Sequence, residues 1–158
     1  MRFVDCLERA DLSWCTINGT AVNHWAKGPM VTRDLDFVVA PDSVERAVML
    51  LEDAGFVCER FDWSINFQGR SSVSFQFSTG EFYREFPSRA VPADVHGILL
   101  RVASLDDTLT GKLQAWSDPS QRQSKRIKDL ADIARLIESH SGLWSKLSAD
   151  LQQNIQKP

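Results

Sequence analysis

The pattern of hydrophobic and polar residues predicts that strands and helices alternate along the first two thirds of the chain. Strands are expected where apolar residues form short runs or alternate with polar ones: at 14–17, 35–40, 56–61, twice within 63–78, and at 91–95 and 98–102. Helices are expected at 3–11, at 20–27, from Asp42 through Ala54, and as a short excursion within 80–89. This order predicts a mixed β-sheet flanked by helices.

Polar and small residues predict where several of these segments begin and end. Asp42 stands where an N-cap residue would accept a hydrogen bond, and Glu45 would complete a capping box. Gly55 is expected to end that helix, and His96-Gly97 is expected to form the turn between the last two strands.

The last third of the chain has a helical pattern. Apolar residues recur every three or four positions, with a break at Asp118-Pro119 and a second at Ser141-Gly142, before a tail helix. The chain has 158 residues, of which 43% are hydrophobic, which suits one compact core. We therefore expect an α/β (α+β) fold in a single domain, with the mixed sheet in 1–102 and a helical C-terminal part in 103–158.

Two carboxylates stand at the head of the predicted strand at 35–40, in Thr-Arg-Asp-Leu-Asp-Phe-Val-Val at 32–39. Because side chains alternate along a strand, Asp34 and Asp36 are expected on the same face as Val38. Two neighbouring anions repel each other unless a cation lies between them, so the pair predicts a possible Mg²⁺ site. The alternative is a solvated strand end that carries an Asp-x-Asp by chance.

A turn that suits a phosphate precedes this pair. The predicted strand at 14–17 breaks at Asn18-Gly19, and a helix opens near Thr20. A small-residue turn at a helix N-terminus presents free N–H groups and a positive dipole end, which favour a phosphate. An Asn-Gly pair is also a common plain turn, because both residues tolerate a positive φ.

These two features together resemble the shared pattern of the nucleotidyltransferase superfamily, a hydrophobic-Gly-Gly/Ser turn followed by Asp-x-Asp. Ile17-Asn18-Gly19-Thr20 and Asp34-Leu35-Asp36 stand in those places. The chain more closely resembles the nucleotidyltransferase-like proteins grouped with AbiEii-type toxins of toxin–antitoxin systems. The segments that carry this resemblance are 31–37, 101–107, 111–116 and 124–133, within 13–138.

The resemblance implies an activity and a set of site residues. It implies that the protein binds an NTP with Mg²⁺ and transfers a nucleotidyl group to a hydroxyl of an RNA, such as a tRNA, or of a protein. It also implies an antitoxin partner. The metal and catalytic residues would be Asp34 and Asp36, and the substrate-binding residues would be Gly19, Thr20, Lys112, Lys125 and Lys128. Asp129 and Asp132 would orient the lysines or lie in the site, although their spacing also suits a solvated pair.

The chain departs from the superfamily pattern at two places. Asn18 replaces the first Gly of the turn, and a third carboxylate expected on a neighbouring strand is absent from Ser-Val-Ser-Phe-Gln-Phe-Ser at 72–78. Strand parity predicts that Ser74 and Gln76 face the same cleft as the aspartates. Glu81 or Asp94 could replace the missing acid. If neither does, the rival interpretation is an interaction or nucleotide-binding module of the same fold that is catalytically impaired.

The net charge and the cysteine content bear on which binding partners and which kinds of site are expected. The net charge of −3 gives no overall attraction to nucleic acid. One basic cluster, however, would either contact phosphates or form a solvated helix face, and it consists of Arg122, Lys125, Arg126 and Lys128. Three cysteines without Cys-x-x-Cys spacing predict free, buried thiols. No signal core and no run of membrane-spanning length is present, so we expect a cytoplasmic protein without membrane contact.

Overall fold

The computed structural model describes residues 2–32, 34–70 and 74–158. In this part of the chain seven strands form one mixed sheet, namely β1 (Trp14–Thr16), β2 (Leu35–Val39), β3 (Val57–Arg60), β4 (Ser64–Gln68), β5 (Ser74–Ser78), β6 (Val91–Val95) and β7 (Ile98–Val102). Their order across the sheet is β3-β4-β5-β2-β1-β7-β6. The β2–β5 and β1–β7 pairs are parallel and the other neighbours are antiparallel.

Helices surround the sheet and make up the C-terminal part. They are α1 (Arg2–Arg9), α2 (Asn18–Trp25), α3 (Val44–Asp53), α4 (Phe86–Arg89), α5 (Leu105–Ser117), α6 (Gln123–Ser139) and α7 (Ala149–Asn154). Short 3-10 turns occupy Pro41–Ser43, Glu81–Tyr83 and Ser141–Lys146. The predicted fold class is confirmed. No helix within the described ranges is both long and apolar enough to cross a membrane.

One face of the sheet is aromatic and buried. The odd-numbered positions of β2, β4 and β5 point to this face, because side chains alternate along a strand. Phe3 of α1 packs on it, with its ring centroid 4.3 Å from that of Phe75 and 4.7 Å from that of Phe37. Phe67 and Phe77 complete the aromatic cluster and are almost fully buried. This face forms the main core.

The opposite face of the same three strands is polar. Asp36 of β2 lies opposite Gln76 of β5, and Gln76 lies opposite Asn66 of β4. Residues that are direct partners across a sheet share a face and lie close together. A polar row therefore runs across β2, β5 and β4.

A second apolar cluster holds the C-terminal helices together. Val22 of α2 packs with Leu109 of α5 and with Ile133 and Leu136 of α6. Because α2 also contacts β2, this cluster places α5 and α6 beside the polar face of the sheet.

Two predicted local features are wrong. Asp42 does not cap a helix, because Pro41–Ser43 forms a 3-10 turn and α3 begins at Val44 without a side-chain cap. The Asp42 carboxylate instead accepts a hydrogen bond from Arg84 Nη1 at 3.1 Å. The tail is a 3-10 turn followed by the short α7 rather than one helix.

Other local predictions are confirmed. Gly55 follows α3 with a φ of 90°, and His96 and Gly97 turn between β6 and β7 with φ values of 54° and 80°. The three cysteines are free thiols, but only Cys15 is fully buried.

Candidate active site

A cavity of about 990 Å³ lies between the polar face of the sheet and the connection from α5 to α6. Strands β2, β4 and β5 form one wall, and the end of α5 with the start of α6 forms another. The segment that follows β5 closes a third side through Phe82 and Tyr83. A volume of this size suits a ligand as large as a nucleotide.

Asp34 and Asp36 both line this cavity. Asp34 precedes β2 and is exposed, whereas Asp36 lies on β2 and is half-buried. Burial raises the pKa of the Asp36 carboxyl, and the hydrogen bond from Asn18 and the charge of Lys128 oppose that shift without cancelling it. The predicted placement of two carboxylates at one cleft therefore matches the structure.

The turn before α2 is bonded directly to Asp36. Asn18 has a φ of 53°, and its Nδ2 donates to Asp36 Oδ2 at 3.0 Å. The Ile17 amide donates to the backbone oxygen of Asp36 at 3.0 Å, and Thr16 Oγ1 donates to the same oxygen at 3.1 Å. The N-terminus of α2 and the carboxylate pair are therefore held together.

Gly19 and Thr20 lie in the first turn of α2. A Cβ atom at Gly19 would lie 2.7 Å from Thr32 Oγ1, so the segment before β2 approaches this turn too closely for a larger residue. Thr20 is buried, and its Oγ1 has no hydrogen-bond partner in the described part of the chain. Such hydroxyls usually have a partner. The predicted contact of both residues with phosphate stays a prediction.

Ser74 and Gln76 line the same cavity as the aspartates, as strand parity predicted. Gln76 lies opposite Asp36 and is half-buried, and Ser74 is exposed at the start of β5. Arg33, Ser72 and Val73, which belong to the motif and strand discussed above, lie outside the described residues.

Lys112 is held in a buried ion cluster between α5 and α6. Its Nζ lies 2.9 Å from Asp129 Oδ1 and 2.8 Å from Asp132 Oδ2, and these three residues are only 3–4% exposed. Arg135 joins the cluster through Asp132 at 3.1 Å and donates to Asn23 Oδ1 of α2 at 2.8 Å. Asp129 and Asp132 are therefore not a solvated pair.

Burial opposes the charge on Lys112, but the carboxylates of Asp132 and Asp129 outweigh that effect and raise its pKa. The ammonium is therefore protonated and already neutralised by two anions. It does not line the cavity, so a direct phosphate contact of Lys112 stays a prediction.

The residues of the basic cluster at the start of α6 make different contacts. Lys125 is exposed and lines the cavity. Lys128 is exposed and does not line it, although its charge acts on Asp36. Arg126 instead donates Nε to the Trp116 carbonyl at 3.0 Å and lies over the Trp116 ring. Of the three lysines predicted to bind phosphate, Lys125 is the one that borders the cavity.

The two acids considered as replacements lie in different places. Glu81 borders the cavity but is paired with Arg84, whose Nε lies 2.6 Å from Glu81 Oε2. Asp94 lies at the β6 edge of the sheet and accepts a hydrogen bond from Gly97 N at 2.8 Å, in the turn. Because two strands, β1 and β7, separate β6 from β2, Asp94 cannot replace the missing carboxylate.

Sequence reasoning missed Trp63, Asn66 and Tyr83, which also line the cavity. Asn66 occupies a polar position of an alternating strand, and this signal could have identified it. Burial and the charge of Asp36 raise the pKa of Tyr83, so its hydroxyl is neutral beside the carboxylates. No local pattern distinguishes Trp63 or Tyr83 from ordinary aromatic residues.

The donors at the cavity suit one Mg²⁺ ion rather than two. Within 2–32, 34–70 and 74–158, no three His, Cys, Asp or Glu side chains are grouped to hold a metal. Mg²⁺ often binds through one or two carboxylates together with substrate phosphates. Asp34 and Asp36 line the cavity and supply such a pair.

Solved structures of nucleotidyltransferases share the fold. The crystal structure of ANT(2'')-Ia in complex with adenylyl-2''-tobramycin has a TM-score of 0.65 and 13% identity over 96% of this chain and 94% of that chain. Lincosamide antibiotic adenylyltransferase LnuA, bound to lincomycin, has a TM-score of 0.56 and 11% identity over 85% and 94%. An antigenic nucleotidyltransferase-like protein from Paracoccidioides brasiliensis has a TM-score of 0.56 and 16% identity over 86% and 73%. At these identities the likeness shows the fold alone.

Sequence comparison adds the family. No curated protein sequence matches the chain significantly. The family described as nucleotidyl transferase AbiEii toxin, Type IV TA system, matches residues 52–155, which include β4, β5 and the C-terminal helices. Since this match covers more than half of the chain, the protein belongs to the AbiEii nucleotidyl transferase toxin family.

Proposed function

We propose that this protein binds a nucleoside triphosphate together with Mg²⁺ and transfers a nucleotidyl group to a hydroxyl of an RNA or protein acceptor. One observation carries the proposal. Asp34 and Asp36 line one cavity with Asn18, the first residue of α2, and Asn18 is bonded to Asp36. A helix N-terminus beside two carboxylates combines a phosphate site with a metal site.

Each part of the cavity then has a role in binding. The backbone N–H groups at the start of α2, with those of Gly19 and Thr20 among them, bind phosphate oxygens. The missing Cβ at Gly19 allows Thr32 to pack against this turn. The Thr20 hydroxyl gains the hydrogen bond that it lacks, and Lys125 neutralises charge at the cavity rim. When bound between the phosphates and the carboxylates of Asp34 and Asp36, Mg²⁺ supplies charge neutralisation and orientation.

The transfer step forms one bond and breaks another. The acceptor oxygen bonds to the α-phosphorus, the bond from that phosphorus to the bridging oxygen breaks, and pyrophosphate leaves. The hydroxyl proton passes to water in the cavity, since Asp36 Oδ2 is engaged by Asn18 and Asp36 Oδ1 would hold the ion. Positioning and electrostatic stabilisation provide most of such catalysis.

A second function has its own supporting observation. The residues in register with Asp36 on β5 and β4 are Gln76 and Asn66, whose side chains are neutral amides rather than acids. A protein without that acid would bind nucleotide and metal but would transfer the nucleotidyl group slowly or not at all. It would then act as an interaction module, and the family description supports an antitoxin as its partner.

Calorimetry of NTP binding tests the proposal. We expect Asp34→Asn and Asp36→Asn to weaken Mg²⁺-dependent binding of a nonhydrolysable NTP by at least about tenfold. Asp94→Asn, at the far edge of the sheet, is the matched control and should bind as the wild type does. Equal affinities in all four proteins, with or without Mg²⁺, would refute the proposal.

A transfer assay separates the two functions. Wild-type protein is incubated with labelled NTPs and with total RNA or total protein as acceptor. Label that enters either acceptor, and fails to do so with Asp36→Asn, supports the enzyme. Mg²⁺-dependent binding without any transfer supports the binding module.

A further inference from the structure

We propose that the part of the cavity above β4 and β5 is a nucleobase subsite, in which the carboxamides of Asn66 and Gln76 bind the edge of the ring and Trp63 stacks on its face. This inference rests on the proposed function, because it assigns the base and the phosphates of a nucleotide to different parts of one cavity. It gives a role to Asn66, Gln76 and Trp63, which belong neither to the carboxylate pair nor to the turn before α2.

The two carboxamides lie side by side on the polar face of the sheet. Asn66 and Gln76 are direct partners across the β4–β5 ladder and share the polar face of the sheet. Asn66 Oδ1 is buried, yet it accepts no hydrogen bond from the described residues. A buried acceptor left unpaired is costly, so a partner is expected in the cavity.

The chemistry of this wall favours an uncharged ligand with alternating donors and acceptors. A carboxamide presents an N–H donor beside a carbonyl acceptor, and this arrangement matches the edges of nucleobases. Ser64 and Ser78, the next pair along the same face, add two hydroxyls. Neither pair carries the charge that would hold a metal ion or a phosphate on its own.

Aromatic side chains flank the carboxamides. Trp63 lines the cavity and is 78% exposed, and Phe82 lines it and is 38% exposed. The backbone of Trp63 is nevertheless held, because its carbonyl accepts a hydrogen bond from Thr79 N at 3.0 Å. An exposed indole on an anchored backbone is suited to stack on a base.

The ring could belong to the bound NTP or to a nucleotide of the acceptor, and the same chemistry binds either. Nucleosides therefore serve as probes, since they have a base and a ribose but no phosphate, and their binding does not require Mg²⁺. Adenosine, guanosine, cytidine and uridine would be titrated separately against the full chain in EDTA. Saturation-transfer NMR measures each affinity, and ribose is the control ligand.

The variants have matched controls. Gln76→Met and Asn66→Leu remove the hydrogen-bonding groups at similar volume, and we expect each to weaken the best nucleoside about three- to tenfold. Gln68→Met is the control for them, because Gln68 lies on the same face of β4 but is exposed and does not line the cavity.

The stacking residue has its own pair of variants. We expect Trp63→Ala to weaken nucleoside binding about tenfold or more. Phe61→Ala changes an exposed aromatic residue in the same loop that does not line the cavity, and it should leave binding unchanged. Because Trp63 is exposed, its replacement should leave the thermal unfolding temperature close to that of the wild type.

The outcomes separate this inference from the proposed function. Nucleoside binding that Gln76→Met and Trp63→Ala weaken supports the subsite even if Mg²⁺ adds nothing to NTP affinity. Competition between nucleoside and NTP would assign the ring to the donor, and simultaneous binding would assign it to the acceptor. The inference is overturned if no nucleoside binds better than ribose while the NTP binds with Mg²⁺, or if Gln76→Met behaves like Gln68→Met.

Discussion

Asn18 Nδ2 donates a hydrogen bond to Asp36 Oδ2 at 3.0 Å, so the residue that replaces the first glycine of the turn occupies one oxygen of the carboxylate pair. Asn18 has a φ of 53°, a conformation that glycine adopts without a steric penalty. The amide therefore competes with any cation for that oxygen.

Asn18→Gly should strengthen Mg²⁺-dependent NTP binding about three- to tenfold, because the substitution frees Asp36 Oδ2 and suits the backbone. Calorimetry in the presence and absence of Mg²⁺ measures the change. His96→Gly relieves a similar positive φ in the β6–β7 turn, far from the cavity, and should leave NTP affinity unchanged. Weaker binding by Asn18→Gly would instead show that Asn18 positions Asp36 for the ligand.

Lys112→Met should destabilise the protein by about 3–5 kcal/mol, because it leaves the buried carboxylates of Asp129 and Asp132 without a cation. Urea unfolding at pH 7 measures this loss. Lys146→Met breaks a pair with Asp106 whose side chains are largely exposed, and it should cost no more than about 1 kcal/mol.

The loss of stability in Lys112→Met should depend on pH, and its direction follows from the pKa of Lys112. The carboxylates of Asp132 and Asp129 outweigh burial and raise the pKa of Lys112, so the stability that its ammonium contributes is fully present at pH 7 and is lost as the pH rises above the ordinary lysine value through the raised one. The difference in the free energy of unfolding between the wild type and Lys112→Met should therefore hold from pH 7 to about pH 9 and shrink at more alkaline pH. A difference that grows at alkaline pH would contradict this account.

An acid on β5 should create a second metal site. Gln76→Asp places a third carboxylate opposite Asp36, and Ser74→Asp places one at the other cavity-lining position of β5. Electron paramagnetic resonance of free Mn²⁺, with a nonhydrolysable NTP present, should show that at least one of these variants binds a further ion. A gain in nucleotidyl transfer should accompany it. Gln68→Asp, outside the cavity, should bind no additional ion.

Cys15 should resist alkylation in the native protein. Burial raises the pKa of the Cys15 thiol to about 12, so almost no thiolate is present at pH 8. Mass spectrometry after iodoacetamide treatment should find Cys6 and Cys58, which are half-buried, modified before Cys15. All three should react in guanidinium chloride. Early modification of native Cys15 would place it closer to the surface than the structure does.

The sequence by itself determined the features that depend on periodicity along the chain. Alternation in β2 and β5 was sufficient to place Asp34 with Asp36, and Ser74 with Gln76, on the polar face of each strand, because burial of one face sets the parity of a strand. It also predicted the fold class and most element boundaries. The order of turn, helix and Asp-x-Asp carried the resemblance to the nucleotidyltransferase superfamily. The segments at 31–37, 101–107, 111–116 and 124–133 carried the resemblance to the AbiEii-type family, which the match over residues 52–155 confirms.

Only the tertiary structure decided which distant residues meet. The capping prediction for Asp42 failed because its carboxylate pairs with Arg84, 42 positions along the chain. The ion cluster of Lys112 with Asp129 and Asp132 depends on how α5 and α6 pack, and the row formed by Asp36, Gln76 and Asn66 depends on the register of three strands. Helix packing and strand register minimise the free energy of the whole chain, so no local pattern specifies these contacts.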